Sequence, residues 1–257
     1  MIPVEGGEVW AADSETGDST LVLLHPGVGD SRFWDPFLQE LTAEHRVIRY
    51  DARGYGRSPA AMGKFNLYDD FLAVLGHLGV ERAALVGCSQ GGATALAAAV
   101  LRPELVSALV LLAPGVPGAP DGPEDPRVAQ LFADYEDAGG GLDAMVEVIR
   151  ALWAAGDPTP EVDEQLRSAA KAWLVEDEFE YEQPIPPIFD RLGEITVPCS
   201  LLVGDIDRPN LIAANRAAAA RIPDCEFVEV PGVDHLPALR VPDLVLGLIR
   251  RTLAQAH

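Results

Sequence analysis

The sequence predicts an α/β fold: a mostly parallel sheet of eight strands with helices on both faces. Short apolar runs bounded by turn residues alternate with segments whose apolar residues recur at helical spacing, which is typical of βαβ units. Because such crossovers are right-handed, the helices are expected to cover both faces of the sheet. With 257 residues, 48% hydrophobic and 23% charged, the chain is long enough to bury one sizeable core.

The predicted strands are a hairpin followed by six buried runs. In the hairpin, a glycine turn at 5–7 joins "IPV" to "EVWAAD". The six later strands are residues 19–25, 45–51, 82–88, 105–114, 198–204 and 225–230. The helices predicted between and after them are residues 32–42, 66–79, 90–102, 208–222 and 241–255.

A change of character at residue 116 predicts an inserted helical cap. A linker rich in proline and glycine begins there, and the run 127–182 is predicted to be helical throughout. Residues 1–115 and 191–257 are therefore expected to form the core, and residues 116–190 the cap. The cap range holds 18 acidic and 4 basic residues, a net charge of −14 out of −21 for the chain. If the cap overhangs the active site, multiply anionic substrates are disfavoured.

The net charge and the number and spacing of the cysteines limit which partners, metals and cellular compartment are expected for this chain. A net charge of −21 argues against binding to nucleic acid or to an anionic membrane surface. There is no signal-peptide pattern and no apolar window long enough to span a membrane. Three cysteines without C-x-x-C spacing favour a reducing compartment and argue against zinc. We expect a cytoplasmic monomer or homodimer that uses no metal or other cofactor.

The stretch "LVGCSQGG" at 85–92 carries the strongest functional motif. It matches G-x-S-x-G directly after a predicted strand and directly before a predicted helix, which is the pattern of a nucleophile elbow. The sharp reversal strains the backbone of Ser89 and exposes its hydroxyl, and glycines on either side avoid Cβ collisions. The N–H of Gln90 and the helix N-terminus point to the same place, where they stabilise an oxyanion. Cys88 is an alternative nucleophile, although its position directs it into the sheet.

A serine nucleophile needs a base and an acid that orients the base. His235 lies in "PGVDHLP", a loop after the last strand that opens on the same sheet edge as Ser89, and it is the predicted base. "LLVGDIDRPN" offers two acids. Asp207 reaches further past the strand end and is the predicted acid, with Asp205 as the alternative or as a turn residue. The other histidines are His25, His45, His77 and His257.

Five segments resemble the α/β-hydrolase fold family, specifically its small microbial esterases and lactonases. They are "LVLLHPGVGDSRFWDPF", "VIRYDARGYGRSP", "LVGCSQGGATALAAA", "LLVGDIDRPN" and "PGVDHLP", and they cover the core from about residue 19 to 115 and from 191 to 257. The order of serine, aspartate and histidine along the chain is also that of the family's triad. In this family, the cap is inserted where residues 116–190 lie.

The resemblance also implies roles for two loops. By likeness to "HGF"-type loops, Gly27 is the second oxyanion donor, with Val28 as the alternative, and His25 organises the loop. The turn after the fourth strand is structural, with Asp51 and Arg53 expected to pair across it. Gln90 stands where the family often has methionine.

The resemblance implies a serine hydrolase that cleaves a carboxylic ester or lactone through an acyl-enzyme intermediate. A serine at the elbow argues against haloalkane dehalogenases and epoxide hydrolases, which need a carboxylate there. The alternatives are a carbon–carbon bond hydrolase of ring-fission products and a ligand receptor derived from a hydrolase. The expected substrate is a small apolar molecule that is not multiply anionic. Candidate residues lining the substrate pocket are Trp34, Phe132, Tyr135, Met145, Trp153, Trp173 and Phe179.

Overall fold

A computed structural model of the protein describes residues 1–120, 122, 125–175 and 181–256. Its strands are β1 (Ile2–Val4), β2 (Gly7–Val9), β3 (Ala11–Asp13), β4 (Thr20–Leu24), β5 (Arg46–Tyr50), β6 (Ala83–Cys88), β7 (Val106–Leu112), β8 (Cys199–Gly204) and β9 (Glu226–Val230). Its α-helices are α1 (Asp35–Glu44), α2 (Leu67–His77), α3 (Gln90–Leu101), α4 (Arg127–Asp137), α5 (Leu142–Trp153), α6 (Pro160–Trp173), α7 (Pro209–Ala219), α8 (Pro237–Arg240) and α9 (Pro242–Leu253). No helix in this part of the chain has the length and apolar character that a membrane span requires.

The main sheet has the strand order β3-β5-β4-β6-β7-β8-β9. β3 pairs with β5 in antiparallel fashion, and the other neighbours pair in parallel. The predicted α/β fold with a mostly parallel sheet is confirmed. Because β5 and β6 lie on opposite sides of β4, the strand order reverses at β4. Ligands of such sheets bind beyond the carboxyl ends of the strands at this kind of reversal, so the loops after β4 and β6 are well placed to form a site.

The sheet has seven strands and not the predicted eight. β1 and β2 form a separate antiparallel pair, and the predicted long second strand is divided at Trp10. There the chain changes partner: the Trp10 N–H donates to the Ser58 side chain at 2.8 Å, and its carbonyl accepts from the Asp51 N–H at 2.9 Å. Only Ala11–Asp13 therefore joins the main sheet.

The hydrophobic core lies on both faces of the sheet. Successive strand residues point to opposite faces. In β4, Leu21 and Leu23 belong to the cluster that α1 and α9 cover, whereas Val22 and Leu24 belong to the cluster that α2, α3 and α7 cover. Layers of helices on both sides thus hold the sheet in place, and its carboxyl edge carries the loops of the candidate site.

The segment between β7 and β8 carries α4, α5 and α6. The predicted helical run is interrupted at residues 138–141, where three consecutive glycines take φ values of 83°, 67° and 91°, and again at 154–159. Ile149 of α5 and Leu166 of α6 have no exposed surface and lie in the same cluster as α1 and α9. The packing is therefore continuous with the core, and a separate cap with boundaries at 116 and 190 stays a prediction. Residues 176–180 lie outside the described part of the chain.

Candidate active site

Ser89 occupies the turn between β6 and α3 with φ 48° and ψ −112°. Such a conformation costs a non-glycine residue about 1–3 kcal/mol and persists only where the surroundings impose it. Here the Ser89 N–H donates to the Leu112 carbonyl at 3.0 Å, and the Ser89 carbonyl accepts from the N–H groups of Ala93 and Gly115, both at 2.9 Å. The turn is thus fixed by β7, by α3 and by the chain after β7, and Ser89 lines a cavity of about 850 Å³.

Two glycines make this turn possible. A Cβ on Gly91 would lie 2.2 Å from the Leu24 carbonyl oxygen in β4, and a Cβ on Gly87 would lie 2.5 Å from the Gly91 carbonyl oxygen. Both obstacles are backbone atoms, which cannot move aside without displacing a strand or a helix. With glycine at both positions, α3 packs directly against the sheet and its N-terminus lies beside Ser89.

Asp207 and His235 follow β8 and β9 and meet inside the protein. His235 Nδ1 lies 2.7 Å from Asp207 Oδ2, and the two side chains are 1% and 0% exposed. The other carboxylate oxygen, Oδ1, accepts the Arg208 N–H at 2.7 Å. His235 Nε2 is buried and makes no hydrogen bond with any residue that the structure describes. A proton on Nδ1, facing the carboxylate, leaves Nε2 with the lone pair that a general base needs.

Ser89 and His235 lie at the same edge of the sheet. The Sγ of Cys88, next to Ser89, lies 3.9 Å from the His235 carbonyl oxygen. Trp153 packs on the His235 ring with ring centres 4.5 Å apart, and it lines the same cavity as Ser89. Since Nε2 has no described partner, the serine and the histidine are not hydrogen-bonded in this structure. Contacts of this kind often tighten only when substrate binds.

Asp205 and Cys88 are the alternative acid and the alternative nucleophile that the sequence left open, and both have structural contacts at this edge of the sheet. Asp205 is exposed and accepts the Gly232 N–H at 2.6 Å, which holds the turn after β9. Cys88 has no exposed surface. Burial, together with the charges of Asp207 and Asp234, raises the pKa of its thiol well above the ordinary value. A buried neutral thiol is a poor nucleophile.

His25 supports the loop after β4. Its Nε2 accepts the Ala52 N–H at 2.9 Å, and its Nδ1 lies 2.8 Å from the Pro26 carbonyl oxygen. Its ring also packs against Tyr55, with ring centres 5.4 Å apart. Both ring nitrogens are engaged with backbone, so His25 is suited to hold the loop and not to take a proton from Ser89.

Gly27, in that loop, contacts the elbow. A Cβ on Gly27 would lie 2.7 Å from Gln90 Oε1, so glycine allows the Gln90 side chain to pack over the loop. The Gly27 carbonyl accepts the indole N–H of Trp173 at 3.0 Å, which ties the loop to α6. Val28, the alternative donor, is 3% exposed. The two predicted oxyanion donors, Gly27 and Gln90, thus come from segments in direct contact.

Asp30 anchors the far end of this loop to α6. Its carboxylate accepts from Ser168 Oγ at 2.6 Å and from Arg32 Nε at 2.9 Å, and its N–H donates to Gln165 Oε1 at 2.9 Å. Burial alone would raise the pKa of Asp30, but the hydrogen bonds from Arg32 and Ser168 outweigh burial and hold it well below its usual range. This anchor was not predicted from the sequence, although two polar residues on the apolar face of α6, Gln165 and Ser168, were a signal for it.

The expected pair between Asp51 and Arg53 is wrong. The Arg53 guanidinium pairs with Asp70 of α2 through two hydrogen bonds of 2.7 Å. The two Asp51 oxygens accept the N–H groups of Ser31 and Arg57 at 2.8 and 2.9 Å. Because backbone donors already occupy the carboxylate, Asp51 holds the turn itself and leaves Arg53 to another acid.

Trp34 and Met145 are core residues and not cavity residues, which corrects the prediction for both. Trp34 has no exposed surface and packs nearly edge-to-face on Phe33, with ring centres 5.0 Å apart. Met145 is 5% exposed and lies in the cluster that α5 shares with α1 and α9. Their apolar spacing predicted burial correctly but not what they are buried against.

The described cavity wall also lacks three other predicted residues. Phe132 of α4 is 37% exposed, and the Tyr135 hydroxyl accepts the Gly141 N–H at 3.2 Å. Trp173 binds the Gly27 carbonyl. Phe179 lies outside the described residues.

The wall beside Ser89 is built mainly from linkers and from the start of α7. It includes Gln90, residues 115–120, Trp153 and Arg208. Within the described part of the range predicted as a cap, α5 supplies Trp153, whereas α4 and α6 supply no residue to this wall. Arg208 was not predicted as a site residue, although it directly follows the predicted catalytic acid.

Asp234, also missed, holds the loop of His235. It is 1% exposed, and its Oδ2 accepts from the Gly156 N–H at 2.9 Å and from Arg240 Nη2 at 2.6 Å. The loop of the predicted base is thereby tied to the chain that follows α5.

These features agree with comparisons to known proteins. The family model described as the alpha/beta hydrolase family matches residues 21–248, so the chain belongs to that family. A relative from Caulobacter sp. (strain K31), named carbamate hydrolase RutD, is 39% identical over 93% of this chain and 90% of its own length. Other relatives of that name match over shorter segments. One of them, from Pseudomonas savastanoi pv. phaseolicola (strain 1448A / Race 6), is 38% identical over 37% of this chain and 39% of its own length.

Two solved structures share the fold over nearly the whole chain. A thermophilic esterase from Thermogutta terrifontis, with malate bound, is 26% identical with a TM-score of 0.76, covering 98% of this chain and 94% of that one. Est816, described as an N-acyl homoserine lactone degrading enzyme, is 27% identical with a TM-score of 0.72, covering 97% of this chain and 98% of that one.

Proposed function

We propose that this chain hydrolyses a carboxylic ester or lactone through an acyl-enzyme intermediate on Ser89. The contact that carries the proposal is the 2.7 Å approach of His235 Nδ1 to Asp207 Oδ2. Nε2 of the same ring is buried, has no hydrogen-bond partner among the described residues and lies at the edge where Ser89 lines a cavity. The likeness to an esterase and to a lactone-degrading enzyme supports this choice of substrate.

In the proposed reaction, Ser89 Oγ attacks the carbonyl carbon while its proton passes to His235 Nε2. The N–H groups of Gln90 and Gly27 hold the oxyanion, and removing one such donor costs about 3 kcal/mol of barrier. The bond to the leaving oxygen then breaks, and His235 returns the proton to that oxygen. Water, deprotonated by His235, hydrolyses the acyl-enzyme and restores the Ser89 hydroxyl.

Turnover of 4-nitrophenyl esters and lactones tests the proposal. Wild type is expected to hydrolyse them, Ser89→Ala to lose turnover, and a fluorophosphonate to label the peptide that contains residue 89. Ser107→Ala serves as a matched control because Ser107 lies in β7 and not in the described cavity wall. Activity or labelling that survives in Ser89→Ala would contradict the proposed nucleophile.

Hydrolysis of a carbamate is the second candidate. It is favoured by the relative that is 39% identical across 93% of this chain. Ammonia release from carbamate, measured above the background of Ser89→Ala, separates the two. A kcat/KM for carbamate above that of the best ester would make carbamate the substrate. A coloured ring-fission dienoate in the same panel tests the carbon–carbon alternative.

A further inference from the structure

The cavity beside Ser89 is lined by a guanidinium, that of Arg208, which has no acidic partner among the described residues. No ion pair or hydrogen bond links it to a residue in this part of the chain, and its Nε atom is buried with no hydrogen-bond acceptor there. A partly desolvated guanidinium without an acceptor is costly, and a carboxylate ligand would remove that cost.

Trp153 holds this guanidinium near the predicted base. The Arg208 guanidinium carbon lies 4.7 Å from the centre of the Trp153 ring, whose ring centre is 4.5 Å from that of His235. Stacking on an aromatic face fixes the plane of a guanidinium while its N–H donors stay available for an anion. The cation is therefore held one aromatic ring away from the imidazole.

Nearby acids do not neutralise Arg208. The side-chain and backbone N–H hydrogen bonds from Arg127 lower the pKa of Asp125, and the nearby charge of Arg208 adds a smaller contribution. The described wall has one other charged residue, Glu182. Arg208 is thus the one cation in the described wall, which suits a substrate with a single carboxylate.

We infer that Arg208 is a specificity-determining residue that binds one carboxylate on the substrate, away from the bond that is cleaved. The inference rests on the proposed function and narrows it to monoanionic acyl substrates, such as the half-esters of dicarboxylic acids. It revises the sequence-based expectation of a purely apolar substrate and keeps the expectation that the substrate is not multiply anionic.

Paired esters measure this preference. Mono-4-nitrophenyl succinate, glutarate and adipate are compared with neutral 4-nitrophenyl esters of equal carbon number, and hydrolysis with Ser89→Ala is subtracted. Wild type is expected to favour at least one anionic ester. Arg208→Gln is expected to lower kcat/KM for that ester about 10- to 100-fold, the range for a hydrogen bond to a charged group. For the neutral ester, the change should stay within about 3-fold, since the backbone N–H that Asp207 accepts remains.

Two further variants test whether the preference for anionic esters depends on the charge or on the planar shape of the Arg208 guanidinium. Arg208→Lys should recover part of the anionic preference, because an ammonium keeps the charge but lacks the planar fork. Arg216→Gln is the matched control, since Arg216 lies on α7, which begins directly after Arg208, and pairs with Glu229 at the surface. Equal losses on both esters in Arg208→Gln, or no anionic preference in wild type, would overturn the inference and leave the hydrolase proposal standing.

Binding gives a readout that does not need turnover. Calorimetric titration of the monoanionic half-esters monomethyl succinate, monomethyl glutarate and monomethyl adipate into Ser89→Ala is expected to show binding that Ser89→Ala with Arg208→Gln loses. If no ester is hydrolysed and Ser89 is not labelled, the proposed function fails, but loss of this binding in the double variant still supports the carboxylate site. Binding that is absent, or equal in both variants, overturns it.

Discussion

Asp207 and Asp205 are two residues apart and face different partners. Asp207 lies inside the protein with Oδ2 2.7 Å from His235 Nδ1, whereas Asp205 is exposed and accepts the Gly232 N–H at 2.6 Å. The two aspartates of the segment "DID" after β8 therefore have different roles. One acid faces the predicted base, and the other holds the turn that leads toward it.

Replacing each aspartate by asparagine tests these two roles separately. Asp207→Asn is expected to lower kcat for a 4-nitrophenyl ester about 10³- to 10⁴-fold, because an amide does not stabilise the imidazolium or fix its tautomer. Asp205→Asn should stay within about 3-fold, because the amide oxygen still accepts the Gly232 N–H. Circular dichroism melting curves show whether both variants fold. A larger kcat loss in Asp205→Asn would reverse the assignment.

Replacement of Trp173 tests whether α6 positions the loop after β4, which carries the predicted oxyanion donor Gly27. Trp173→Phe keeps an aromatic ring and removes the N–H that the Gly27 carbonyl accepts. The loss of one neutral hydrogen bond predicts a kcat about 2- to 10-fold lower with little change in KM. Trp10→Phe, in the chain between β2 and β3, is the control. A raised KM with unchanged kcat would show instead that Trp173 contacts substrate, as the sequence predicted.

The sheet and the elbow were predictable because their requirements are local. Short apolar runs bounded by turn residues identify the strands, and backbone atoms of the same βα unit and of the adjacent strand demand glycines at fixed offsets around Ser89. The break in the hairpin could not be predicted in this way. It depends on the Ser58 hydroxyl, 48 residues from Trp10 in sequence.

The rest of the candidate site, beyond Ser89, Asp207 and His235, depends on contacts between residues even further apart in sequence. Ser168 and Asp30 are 138 residues apart, and no sequence spacing links them. Helical spacing predicted that Trp34 and Met145 are buried, but it does not distinguish a core from a cavity wall. Arg208 stands out only in three dimensions, because the signal is the absence of a partner among the described residues.

Asp30 gives the loop anchor a pH dependence. A folded-state pKa below the unfolded value stabilises the protein fully above the unfolded pKa of about 4, and this stability is lost as the pH falls through the folded value. Asp30→Asn should therefore lower the unfolding free energy by about 2 kcal/mol near pH 7, and the difference should shrink below about pH 4. Urea titrations at several pH values measure it.

The exposed pair of Arg191 and Glu194 provides the control for that titration. Glu194→Gln removes a surface charge pair at 2.7 Å, and its effect on stability should be much smaller and should vanish in salt. A difference between wild type and Asp30→Asn that stays constant from about pH 7 to pH 2 would show that packing, and not the charge of Asp30, anchors the loop.

Two glycine-to-alanine substitutions should have opposite effects. Gly91→Ala places a Cβ 2.2 Å from the Leu24 carbonyl oxygen, so α3 must move away from the sheet, and a loss of about 3 kcal/mol or more is expected. Gly76 lies within α2, and a Cβ there meets nothing within 4 Å. Gly76→Ala should stabilise the protein by about 0.5–1 kcal/mol through helix propensity.

Urea midpoints of the two variants compare these effects directly. A Gly91→Ala protein that fails to fold agrees with the collision, while Gly76→Ala shows that alanine in place of glycine is not harmful in itself. A wild-type midpoint for Gly91→Ala would mean that α3 can shift without cost. The contact between elbow and sheet would then not be what imposes the strained conformation of Ser89.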